Sequence, residues 1–283
     1  MRHFTFLLII IGMCTCNFAK AEGGGGGNSS SPLKKNLTIF AVPDDYYSDQ
    51  PKFRVDLGGL IQLNTLYDVT GGVLDDEIYL QNIQPTGSDL WRNQRFHVDG
   101  RQNRIKVETF YNTGDGEIKT TIEGDFHRDN YNFRIRLGWV GYKGFRVGFD
   151  WTTFSDGNAW PNVFDFNGPA SMIWQRKALI RYTNNINNKF TYQLAVEQPE
   201  FSINYDKVVG TDIDVNNDRI GSIEQNIPDV VGTIGYKSGN GSTLRLAGVL
   251  RAFRYATRNN GSISKRESEL GVGASLSGKF YLY

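Results

Sequence analysis

Along most of residues 53 to 283, apolar and polar side chains alternate with a period of two, in runs of ten residues or more. "FRVDLGGLIQLNTLYD" sets Phe53, Val55, Leu57, Ile61, Leu63 and Tyr67 on one face, with Arg54, Asp56, Gln62, Asn64 and Asp68 on the other. "GEIKTTIEGDFH" sets Ile118, Ile122 and Phe126 against Glu117, Lys119, Thr121, Glu123, Asp125 and His127. This period is that of a β-strand, and no segment shows a helical-length run of period 3.6. The strands exceed the roughly 5 to 6 residues usual in soluble sheets.

Two architectures accommodate such strands. A soluble sandwich turns its polar face outward, whereas a transmembrane barrel turns its apolar face to lipid and needs about 9 to 11 residues per crossing. Strand length favours the barrel. So do aromatics at strand ends: Tyr67, Tyr111, Trp139, Tyr142, Trp151 and Tyr182 are candidates for the membrane interface. Asn-, Asp- and Gly-rich turns at 112–117, 142–144, 183–189 and 237–242 alternate with longer connections at 69–92, 155–173 and 200–227, as in an outer-membrane barrel. The sequence predicts about ten strands, near 53–68, 101–111, 117–127, 132–142, 145–154, 175–184, 190–198, 229–237, 243–256 and 267–282.

The first residues have a different character. Arg2 and His3 precede an apolar stretch from Phe4 to Cys14, and Ala19-Lys20-Ala21 has the small residues a signal peptidase reads. Residues 1–21 are therefore expected to be a cleaved export signal, which places the chain in the outer membrane of a Gram-negative cell. Residues 22–52 begin with "EGGGGGNSSSP" and read as a linker and periplasmic extension, leaving 53–283 for the barrel. Cleavage removes Cys14 and Cys16, hence any disulfide or thiol chemistry. It also removes Arg2 and Lys20 from 31 basic residues, leaving 29 against 30 acidic ones, a formal charge of −1. Such a balance argues against a nucleic-acid partner.

Arginines punctuate the alternation in "NFRIRLGWVGYKGFRVGFDWTTF", residues 132–154. In a barrel Phe133, Ile135, Leu137 and Trp139 would face lipid, and Arg134 and Arg136 the lumen. Arg146 and Asp150 follow on the next strand, then Lys177 and Arg181 opposite Ala178, Ile180 and Tyr182. Arginine on the lipid face would cost about 2 to 4 kcal/mol at the midplane, so the lumen is favoured. Arg104, Lys106 and Glu108 make a similar mixed wall. Guanidinium groups in a narrow aqueous pore concentrate anions and match carboxylates. They also pair with neighbouring Glu123 and Asp125 to hold the wall. Both readings stand at this level.

With these strands placed, the chain resembles the DcaP-like family of trimeric outer-membrane porins. The matching stretches are "GGLIQLNTLYD" (58–68), "GEIKTTIEGDF" (116–126), "FRIRLGWVGYKGFRVGFDWTTFSD" (133–156) and "FDFNGPASMIWQRKALIRYT" (164–183). The resemblance implies a sixteen-stranded antiparallel barrel, a homotrimer in outer-membrane lipid, and passage of small anionic solutes such as dicarboxylates. It further implies that the loop at 155–174 folds inward as a constriction, with Asp156 and Asp165 opposite the basic wall. Trp160 and Phe166 read as the packed core of that loop. About ten strands against sixteen reads as an incomplete copy of the family barrel. Strands with a weaker alternation, or closure with ten strands, would also account for the difference.

Catalysis finds little support. Past the signal only His97 and His127 remain, without a nucleophile motif or a metal-binding pair. "DIDVNND" (212–218) lacks the glycine and terminal glutamate of a calcium loop, and reads as solvated. The glycine run at 23–27 lacks the preceding strand and following Lys of a phosphate loop. The expected function is a passive porin without cofactor. Two further readings stand beside it: a non-transporting outer-membrane structural, adhesive or remnant β protein, and a soluble periplasmic protein.

Overall fold

The computed structural model describes residues 37–43, 51–68, 87, 95–127, 131–161, 172–200, 218–223, 225–259 and 262–281. The expected signal, most of the linker and the centre of the 155–174 loop lie outside the described residues. Among the described residues there is no α-helix, and the strands pair antiparallel throughout. The chain forms two compact units, residues 1–143 with 161–172, and 144–160 with 173–283.

In the first unit β1 (Leu37–Pro43), β2 (Pro51–Leu60), β5 (Arg104–Asn112), β6 (Glu117–Asp125) and β7 (Arg134–Tyr142) pair in that order. β3 (Asn64–Asp68) and β4 (Arg95–Asp99) form a separate two-stranded sheet. The long strand expected at 53–68 is thus two. The reason is local: the Gln62 backbone N–H donates to the Asn103 side chain at 2.6 Å, and its side chain binds Asn64 and Gln102. The ladder with β5 stops there.

In the second unit β8 (Phe145–Trp151), β9 (Arg176–Asn185), β10 (Phe190–Glu197), β12 (Asp229–Lys237) and β13 (Thr243–Asn259) pair in order. β13 is 17 residues long, and its far half also pairs with β11 (Asp218–Ile223). Along its other side runs β14 (Ser262–Lys279), with 18 residues. Fourteen strands are present among the described residues, against about ten expected. β1, β4 and β11 lie in stretches whose composition reads as linker or loop, which hides them from the sequence pattern.

Burial is inverted relative to a soluble sheet. In the second unit Phe145, Val147, Phe149, Ile180, Leu194, Val196, Val230, Ile234, Leu246, Leu250, Leu270, Val272 and Leu276 are exposed. The residues between them, Asp150, Lys177, Arg181, Glu197, Asp229 and Thr233, are buried. The first unit repeats this, with Ile105, Ile122 and Ile135 exposed while Glu108, Thr121, Asp125 and Arg136 are buried. Water would oppose such a face, whereas hydrocarbon favours it.

Aromatics mark both ends of the apolar band. Phe145, Tyr182 and Tyr192 contact at 4.7 and 6.2 Å near the short turns, beside the Phe190–Tyr236 pair at 5.1 Å. Trp151, Trp160 and Trp174 meet within 4.7–4.8 Å at the opposite end, with the Arg176 guanidinium 5.2 Å from the Trp151 ring. The six residue steps from Phe145 to Trp151 span about 20 Å of strand, in keeping with two interfacial girdles. Trp160 is a packed loop aromatic, as expected.

The tight turn after β7 is fixed by its backbone. Lys143 and Gly144 both have positive φ, 45° and 85°, as a two-residue hairpin turn requires. A side chain at Gly144 would also lie 2.6 Å from the Thr183 carbonyl oxygen.

One expected orientation is corrected. Glu123 pairs with Leu137 but Gly124 pairs with Ile135, so Arg136 occupies a β-bulge. The extra residue shifts the alternation. Ile135 and Val140 are exposed on the apolar face, but Leu137 and Trp139 share the polar face with Glu123 and Thr121, their cross-strand partners. The Lys119 ammonium lies 5.8 Å from the Trp139 ring, on that same polar face. Trp139 is therefore not a lipid-facing residue. The bulge predicts that single cysteines at 135 and 140, in a variant lacking Cys14 and Cys16, resist a membrane-impermeant maleimide in proteoliposomes. A cysteine at 139 should react. Protection at 135 and 139 with labelling at 140 would disprove the phase shift.

Candidate functional site

The polar faces are built from a repeated unit, one carboxylate held between two cations. On β6 and β7, Asp125 accepts from Arg134 Nε at 2.7 Å and from Arg136 Nη1 at 2.7 Å. Arg136 Nε also reaches Glu123 at 3.1 Å. Glu108 on β5 binds Lys106 at 3.0 Å and Lys119 at 2.9 Å. In the second unit Asp150 accepts from Arg146 and Arg181, each at 2.6 Å. Asp229 accepts from Lys177 at 3.0 Å and is gripped by the Arg251 guanidinium.

Register places these groups together. Lys106 stands opposite Glu123 and Arg104 opposite Asp125 across β5–β6. Asp150 stands opposite Lys177, and Arg146 opposite Arg181, across β8–β9. Cross-strand neighbours share a face about 5 Å apart, so an aspartate on one strand reaches cations on both. Close packing behind one partner is visible at Gly124, where a Cβ would sit 2.1 Å from the Phe133 ring.

Members of three of the triads differ in access to water, whereas Lys106 and Lys119 about Glu108 are similarly exposed. The Arg134 side chain is 30% exposed but that of Arg136 only 3%. Arg146 is 35% exposed against 11% for Arg181, and Arg251 22% against 2% for Lys177. Of the five cations expected to line a pore, Arg134 and Arg146 thus keep open surface. Arg136, Lys177 and Arg181 are sealed into the wall. Arg104 also contributes a half-buried guanidinium to this face, and its Nε has no hydrogen-bond partner among the described residues.

The start of the loop after β8 crosses the polar face of its own unit. Glu197 at the end of β10 accepts from the Thr152 hydroxyl at 2.5 Å and from the Thr153 N–H at 2.6 Å. Arg245 on β13 donates to the carbonyls of Thr153, Phe154 and Ser155, at 2.9 Å for Ser155. Asp156 accepts from Ser277 of β14 at 2.6 Å. Arg245 lies six residues from Arg251 along β13 toward the short turn, so residues 152–156 descend along the polar face. A cavity of about 250 Å³ remains beneath, bounded by Thr152, Gln175, Lys177, Glu197, Asp229 and Arg251. Asp156 is thus bound to Ser277 of β14, the cross-strand partner of Arg245, and Asp165 lies outside the described residues.

The alternation does not single out Glu197, Asp229, Arg245 and Arg251 as site residues. Their only signal is a charge at a polar position, a property they share with many residues that merely face solvent.

Long antiparallel strands with one apolar and one charged face are what a porin requires, and comparison decides the family. The model of the porin subfamily matches residues 67–275, most of the chain. The chain belongs to the porin subfamily. Its fold is shared with the outer membrane channel DcaP of Acinetobacter baumannii, whose crystal structure superposes with a TM-score of 0.63 at 17% sequence identity. The alignment covers 86% of this chain and 63% of that channel, so the porin described here spans less than two thirds of its length. No curated protein matches. The fold is therefore an antiparallel outer-membrane β-barrel of the DcaP type, and membership of a porin family points to a channel rather than an enzyme.

The triads set the cost of breaking the wall. Asp125→Asn would leave two guanidinium groups without their shared anion, and one of them is buried. The expected loss is about 3 kcal/mol, as for a buried pair deprived of one partner. The check is urea-induced unfolding in lipid vesicles. A variant as stable as the parent would show that Asp125 carries no structural role.

Proposed function

We propose that this porin passes small anionic solutes, dicarboxylates among them, through a lumen whose arginines give it a positive field. The observation that carries this reading is the two-to-one composition of the triads. Pairing does not neutralise the wall: Glu108, Asp150 and Asp229 each hold two cations, so each of these three groups retains one net positive charge, while Arg134 and Arg136 are balanced by Asp125 and Glu123. The pairing and selection readings of the arginines are two aspects of one arrangement. About Asp125, Asp150 and Asp229 the buried cation fixes the carboxylate, and the exposed one offers donors to a passing anion. Several moderate sites favour entry without trapping the solute. Arginine serves this purpose well because its planar fork matches a carboxylate.

Segment 152–156, fastened across the polar face by Glu197, Arg245 and Ser277, supports the reading of loop 155–174 as the constriction. In the same reading the chain is exported through a cleaved signal at 1–21 and assembles as a homotrimer, as the family resemblance implies.

Liposome swelling tests the proposal. Proteoliposomes should admit a dicarboxylate faster than a neutral sugar of similar size. Arg134→Gln with Arg146→Gln should reduce that preference several-fold while sugar flux is kept, because two exposed cations are lost and the aspartates retain Arg136 and Arg181. Equal flux of both solutes through the parent would reject anion selection. Absence of any flux through correctly inserted protein would favour the non-transporting reading. A second experiment addresses the loop: Arg245→Ala should raise single-channel conductance by freeing residues 153–155, and an unchanged conductance would place that segment outside the pathway.

A further inference from the structure

Register leaves one guanidinium on the polar face of the first unit without a counter-ion. Arg104 begins β5, and the row across it runs from Leu60 on β2 through Arg104 to Asp125 on β6 and Arg134 on β7. Directly opposed residues share a face, so Asp125 stands between two arginines. Its carboxylate is nevertheless fully committed elsewhere. Oδ1 accepts from Arg134 Nε at 2.7 Å and from the His127 N–H at 3.2 Å. Oδ2 accepts from Arg136 Nη1 at 2.7 Å and from Arg134 Nη2 at 3.2 Å. Four hydrogen bonds fill the roughly four lone-pair sites of a carboxylate, and nothing remains for Arg104.

The other neighbours supply no anion either. On β2, Leu60 is apolar, and Gly58, opposite Lys106, adds no side chain beside Arg104. Glu123, on the next row of the polar face, is bound by Arg136. Among the described residues Arg104 makes no ion pair and no side-chain hydrogen bond, and its Nε is buried without a partner. Arg136, Glu123, Asp125 and Arg134 lie within its electrostatic reach and cancel, two of each sign. The charge left over in this part of the wall is that of Arg104 itself.

A guanidinium carries five donors, and one held out of water without an acceptor costs free energy. Such a group finds its acceptor outside the fold, in water or an anion. The uncompensated charge favours the anion. Position favours it too. Arg104, Asp125 and Arg134 stand at the strand ends away from the short turns at 112–117 and 142–144, which is the long-loop, outer end of a barrel. Arg104 keeps part of its surface open, and Arg134 beyond Asp125 is 30% exposed.

We propose that Arg104 is the carboxylate-binding residue of an entry station at the outer mouth, where a small organic acid pairs with its free fork beside Arg134. The station presupposes the anion-passing reading above and adds to it a residue and a place. A planar fork takes both oxygens of a carboxylate, which an ammonium group does not. A single such fork binds weakly enough to release the solute inward.

Saturation-transfer NMR of succinate with the full-length protein in deuterated detergent micelles measures the station without needing a conducting channel. The parent should bind succinate saturably. Arg104→Gln should weaken that binding about tenfold while the protein folds as before, since Arg104 has no partner to lose. Arg104→Lys should fall between the two, having the charge without the fork. No saturable binding in the parent, or equal binding in Arg104→Gln, would overturn the station, the second outcome leaving water as the partner of the guanidinium. If the glutamine variant fails to fold, the lysine variant decides, and binding equal to the parent's would overturn the fork as the binding group. Chloride preference in a planar bilayer reads the anion-passing lumen separately. A parent that prefers chloride but binds succinate equally without Arg104 loses the station alone. A parent that prefers potassium loses the lumen reading, while the succinate titration still decides the station.

Discussion

The structure depends on one arrangement, an aspartate or glutamate clamped between two cations on the polar side of neighbouring strands. A sheet whose outer surface is Leu, Ile, Val and Phe can exist only where hydrocarbon replaces water. Its inner surface must then carry all the polar groups. Charges packed on one face of a sheet repel unless they interleave, and each isolated charge would lose hydration without compensation. Interleaving in a ratio of two cations to one carboxylate satisfies the packing and leaves a field. Asp150 with Arg146 and Arg181, and Asp229 with Lys177 and Arg251, show this most clearly.

Other charges of the same polar face give the first segment of the loop its anchor. Glu197 receives the Thr152 hydroxyl and the Thr153 amide, and Arg245 donates to three successive carbonyls. Backbone groups that leave a β-ladder at the end of β8 would otherwise need water or a partner. Strand end, loop start and wall are thereby one hydrogen-bonded system.

The alternation made the fold legible before any coordinates. Period two, strand length, turn composition and terminal aromatics all depend on local chemistry, which a sequence displays directly. The register-dependent features were hidden. Nothing in "RIRLGWVGY" announces that Arg136 is bulged, because a bulge is defined by what the partner strand does at Glu123 and Gly124. Trp139 consequently changed sides. The cation positions were legible too, since Arg134, Arg136, Arg146, Lys177 and Arg181 all lie on the polar faces. Their division into buried clamp and exposed donor was not, for it depends on which of two cations stands nearer the rim of its carboxylate. Asp229 and Glu197 carry no local mark at all, as their partners lie tens of residues away.

The central claim is that the triads leave the lumen net positive. It is tested most directly by the zero-current potential of the parent protein in a planar bilayer under a tenfold salt gradient. A net positive lumen predicts a potential of the sign set by chloride moving down its gradient faster than potassium. A potential of the opposite sign, in channels of the inserted full-length chain, would contradict it.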